Sequence, residues 1–70
     1  MINELRKKIN DEIAAYNERI ENNKLAINAL SKIGKKSNHM EDTIKSIYRD
    51  IEFCHEVITI LKDLSIIASN

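Results

Sequence analysis

The stretch Ile44 to Leu61, IKSIYRDIEFCHEVITIL, carries two apolar stripes where a helix in a simple hairpin needs one. The first runs through Met40, Ile44, Ile47, Ile51, Cys54, Ile58 and Leu61 and continues by Ser65 to Ala68, in alternating steps of three and four residues. That alternation is a heptad seam. With Ile44, Ile51 and Ile58 at position a, the residues Ile47, Cys54 and Leu61 fall at d, the pattern of a left-handed coiled-coil contact. The second stripe, Phe53, Val57, Ile60, Leu64 and Ile67, occupies positions c and g. At about 100° per residue it lies roughly 110° around the helix from the first. One partner helix cannot cover both.

Working outward, the chain before this stretch has its own seam. Ile13, Ile20 and Ile27 take a; Ile2, Ile9, Tyr16, Asn23 and Leu30 take d, with Asn23 the polar interruption. The opposite side carries Glu4, Lys7, Asp11, Glu18, Glu21 and Asn28, polar as a solvated face should be. The spacing predicts a first helix over about 3–33, with Asn3 as its N-cap and some fraying where Arg6, Lys7 and Lys8 sit near the positive end of the helix dipole. Gly34, flanked by Lys32, Lys35 and Lys36, reads as the glycine that ends it. The loop spans about 34–38. Ser37 or Asn38 caps a second helix over about 39–67, and Asn38 with Glu41 has capping-box spacing. So short a loop makes the helices antiparallel neighbours.

The two seams agree with the loop. If the turn is centred at Ser37, residues whose numbers sum to about 74 face each other. Ile27 then meets Ile47, Ile20 meets Cys54, Ile13 meets Leu61, Leu30 meets Ile44 and Tyr16 meets Ile58. Asn23 falls against Ile51, and a polar group at one seam position is a recognised way of fixing register or oligomeric state.

Length and composition bound the rest. Seventy residues make one domain. Ordering them costs on the order of 100 kcal/mol, which a single shared seam is poorly placed to offset. The second stripe supplies the missing burial, most economically against another copy, giving a four-helix bundle. Eleven basic and eleven acidic side chains balance, so no net field steers the chain toward nucleic acid or an anionic membrane. With no proline and one glycine, little breaks the helices. One cysteine allows no internal disulfide and suggests a reducing compartment. The opening MINELRKKINDE lacks the apolar segment of a signal peptide, and no run reaches the ~18 apolar residues of a membrane span. The expected location is cytoplasmic. Heavy use of isoleucine, asparagine and lysine points to an A+T-rich genome.

Few constellations here could carry chemistry. Glu52 and His55 have the Glu-x-x-His spacing of di-iron bundles, but at b and e they turn away from both stripes, and a solvated face explains them better. Cys54 at a seam position reads as a small buried hydrophobe, and His55 next to it points about 100° away, poor geometry for a catalytic pair. Lys32, Lys35, Lys36 and Lys45 surround the loop, with Arg49 one turn further, a basic end that could touch phosphates but lacks interleaved aromatics. Catalytic, cofactor and metal residues are therefore none.

The opening ELRKKINDEI, residues 4–13, resembles the start of the first helix of the all-helical chorismate mutases. The likeness covers about ten residues, the chain is short for that family's three-helix protomer, and no further arginine and lysine pattern matches, so no activity is carried over. The helical-hairpin dimer is similar in architecture to the small plasmid RNA-binding Rop proteins, with no shared motif.

The sequence thus predicts an all-α antiparallel hairpin, one domain over 1–70, dimerising into a four-helix bundle. The expected function is a small non-enzymatic regulatory or inhibitory protein, encoded by a phage or mobile element, whose partners are itself and another protein. Phe53, Val57, Ile60, Leu64 and Ile67 form the expected interface and Asn23 the register-setting polar core. Lys32, Lys35, Lys36, Lys45 and Arg49 form a possible basic contact surface. The alternatives are a Rop-like RNA or DNA binder and a purely structural oligomerisation module.

Overall fold

A computed structural model describes residues 2–33 and 37–69. The two expected helices are present: α1, Ile2–Ser31, and α2, Asn38–Ser69. They pack against each other along their length as a hairpin.

The helix ends follow from local chemistry. At the close of α1 the Lys32 amide donates to the Ala29 carbonyl at 3.3 Å and the Ile33 amide to Leu30 at 3.2 Å. These three-residue steps tighten the last turn and satisfy carbonyls that the helix leaves open. The helix therefore ends at Ser31, two residues short of the expected 33, and the Gly34 reading lies outside the described residues, as do Lys35 and Lys36. At the start of α2, Ser37 Oγ accepts the Met40 amide at 3.1 Å while the Ser37 carbonyl accepts that of Glu41 at 3.0 Å. Ser37 is thus the N-cap, and Asn38 is already helical. The third helical position is Met40, which has no carboxylate to return, so the capping box does not form. With no proline downstream, α2 runs on to Ser69, past the expected 67.

The core is a single seam. Ile9, Ile20, Cys54 and Ile58 are buried, and Ile13, Tyr16 and Ile51 pack against the Ile20, Cys54 and Ile58 cluster. Ile20 and Cys54 are the pair that the summed register places face to face. Toward both ends the seam residues Ile27, Leu30, Ile44, Ile47 and Leu61 are only half-buried. Two helices meet along a line, so each seam side chain has neighbours on one side and water at its flanks.

The shape makes the deficit quantitative. The radius of gyration is 16.1 Å, against about 11 Å for a compact globule of this length. The accessible surface is 5580 Å², roughly 1,100 Å² more than the ~4,500 Å² that a compact monomer of this mass exposes.

Candidate functional site

An antiparallel pair of heptad helices brings g positions of one helix beside g positions of the other, flanking the seam. Arg19 and Asp50 are such a pair. Arg19 Nε donates to Asp50 Oδ2 at 2.8 Å and its Nη2 donates to Oδ1, a two-pronged contact that matches the guanidinium fork to the carboxylate. Asn23 Nδ2 donates to Asp50 Oδ2 at 2.7 Å, and the Cys54 thiol lies 3.9 Å from the same oxygen. One α2 carboxylate thus gathers two donors from α1 and one from its own helix.

This clasp explains Asn23. The seam reading set it against Ile51, where its amide would have no partner. The half-buried amide reaches one residue sideways to Asp50 instead. A polar seam residue whose partner sits at one height on the other helix opposes sliding of the pair, because a shift leaves the amide unpaired.

The clasp also sets local charge. The Arg19 guanidinium, hydrogen-bonded to Asp50, holds that carboxyl below the usual carboxylate range, with the Asn23 amide adding to the effect. Asp50 in turn raises Arg19. Burial, followed by the neighbouring carboxylate, pushes the Cys54 thiol up, which favours its protonated form.

Arg19 continues onto the apolar face, its guanidinium carbon 5.9 Å from the centre of the Phe53 ring. Tyr16 meets the same ring edge-on, centroids 6.4 Å apart at 66°. Phe53 and the rest of the second stripe therefore lie on the same broad side of the hairpin as the clasp. Along that side Phe53 is 49% exposed, Ile60 59%, Leu64 46% and Ile67 68%; Val57 is half-buried. Leu5, a g residue of α1 at the level of Leu64 in the same register, adds a further 52% exposed side chain. The other broad side carries the b and e positions, among them Lys7, Asn10, Asn17, Glu21, Lys45, Glu52 and His55, all exposed. That side also exposes Tyr48 and Ile66, but the continuous apolar run lies on the c and g side, around a central ion pair.

Of the basic surface, Lys32, Lys45 and Arg49 are exposed. Glu52 and His55 stand on the polar side. Among the described residues no three His, Cys, Asp or Glu side chains are grouped to hold a metal ion, and no helix is long and apolar enough to cross a membrane. A shallow concavity of ≈ 150 Å³ lies between Glu12, Ala15, Tyr16 and Arg19 on the apolar side. It is smaller than the ~300 Å³ at which small-molecule pockets begin.

Arg19 and Asp50 escaped the sequence reading because only a and d positions were aligned across the turn. The signal was available: opposite charges at g in both helices, close to the level of the polar seam residue, is the flanking ion pair that heptad chemistry favours. Comparison with protein-family models, curated proteins and solved structures finds no match to this chain.

Proposed function

We propose that this chain is a small non-enzymatic regulatory or inhibitory protein, cytoplasmic and of phage or mobile-element origin, that acts by protein–protein contact through the apolar side of the hairpin. In the resting assembly that side is closed by a second copy to give a four-helix bundle. The observation that carries the reading is the run Phe53, Ile60, Leu64 and Ile67 held in water along one face of the rod. A contiguous apolar patch of several hundred Å² is what interaction surfaces present and monomers usually avoid.

The test is an Ile60→Asp, Leu64→Asp variant. Both residues are exposed in the single hairpin, so the seam and helicity should survive while self-association and capture of any protein target are lost together. Wild-type levels of both in the variant would remove the apolar side from the function. The basic segment around the turn supports a second reading, RNA or DNA binding, which predicts retention on nucleic acid that falls steeply with salt.

A further inference from the structure

Resting on that reading, we infer that the second copy docks on the apolar side in the antiparallel sense, with the two-fold axis at the level of Phe53, so that the turn of each hairpin lies over the open end of the other.

Two observations lead there. The first is area. The described hairpin measures 53 × 15 × 12 Å, and its broad side has a footprint of about 800 Å², the area per partner of a standard stable interface. The excess surface of roughly 1,100 Å² found above is of the same order. A second copy can therefore remove the whole deficit.

The second is the distribution of side-chain size. Every large apolar residue of the stripe, from Phe53 to Ile67, sits in the open-end half, with Leu5 beside them. The turn-end half of the same side carries Ala26, Ala29, Thr43 and Ser46 at c and g positions, with Asn22 and the Arg19–Asp50 pair nearer the axis. Parallel stacking sets large on large at one end and small on small at the other, which splays the pair. Antiparallel stacking sets Phe53 against its own copy at the axis and large on small on either side of it, which keeps the spacing even, as close packing requires. About the Phe53 level, Ile60 lies over the partner's Ser46 and Leu5 over the partner's Ala26. The concavity beside Ala15 then falls next to the axis, with Glu12 reaching toward the partner's Arg19.

The experiment uses two full-length variants, Ser46→Cys and Ile60→Cys, both at exposed positions. Cys54, fully buried, is left in place, and bridged peptides are identified by mass. Symmetry-related copies of residue 60 in the antiparallel dimer are about 21 Å apart along the helix, beyond the reach of a disulfide. Oxidising the mixed variants should therefore yield the 46–60 bridge and neither self-bridge. Self-bridges at 46 and 60 without the mixed one would overturn the antiparallel arrangement while leaving self-association intact. A helical monomer at every concentration would overturn the second copy itself and return the apolar side to a different protein.

Discussion

Ile20 and Ile60 are the same residue type in two different surroundings, and truncating each to alanine separates the seam from the apolar side. Ile20 is 3% exposed, within the Cys54 and Ile58 cluster. Its truncation loses the transfer energy of the removed carbons and leaves a cavity, a cost of about 2–5 kcal/mol. A chain of this length has a total stability of roughly 4–10 kcal/mol, so Ile20→Ala should bring the hairpin close to unfolding. Ile60 is 59% exposed in the single hairpin. Burial of about two fifths of its side chain is worth on the order of 1 kcal/mol, and the higher helix propensity of alanine returns a few tenths. In one hairpin Ile60→Ala should be nearly silent. In the dimer the same side chain is covered, and its truncation costs as much as a core change. Urea unfolding followed by circular dichroism at several protein concentrations distinguishes the two. Ile20→Ala should lower the midpoint and keep its dependence on concentration; Ile60→Ala should lower it mainly at high concentration and flatten that dependence. A cost for Ile60→Ala that is small and equal at every concentration would show that nothing covers this face.

Asp50 is held low by Arg19 and Asn23, so its stabilising contribution is present above the unfolded-chain value of about 3.9 and is lost as pH falls through the lower folded value. Thermal midpoints measured from pH 6 to 2 should therefore drop in the acid range, and Asp50→Asn should flatten that drop while lowering stability at pH 6. Cys54, fully buried with a raised pKa, should react with a thiol reagent at pH 8 only as often as the hairpin opens, and at the rate of a free thiol in denaturing urea; fast native labelling would contradict the seam placement. Ile51→Asp sets an unpaired charge beside the Ile20, Cys54 and Ile58 cluster, and its far-ultraviolet dichroism should show loss of most helix at 25 °C.

The hairpin was legible because its seam obeys a strict alternation, and because Ile20 and Cys54 could be paired from the position of the turn alone. Helix ends were less so. They depend on which of two adjacent residues turns its side chain back onto the backbone, and Ser37 wins over Asn38 by accepting the Met40 amide. The clasp was hidden for another reason. Asp50 sits among Arg49, Ile51 and Glu52, where its charge looks like ordinary surface, and its role appears only when α1 brings Arg19 and Asn23 to the same height. Leu5 joins the apolar side for the same reason: as a g residue of α1 it belongs to no stripe of its own helix.

Solution mass by light scattering across a dilution series, with helicity followed in parallel, tests whether the apolar side is an interface. A species of twice 8.1 kDa that dissociates on dilution is the predicted result. A fully helical monomer at every concentration would contradict it.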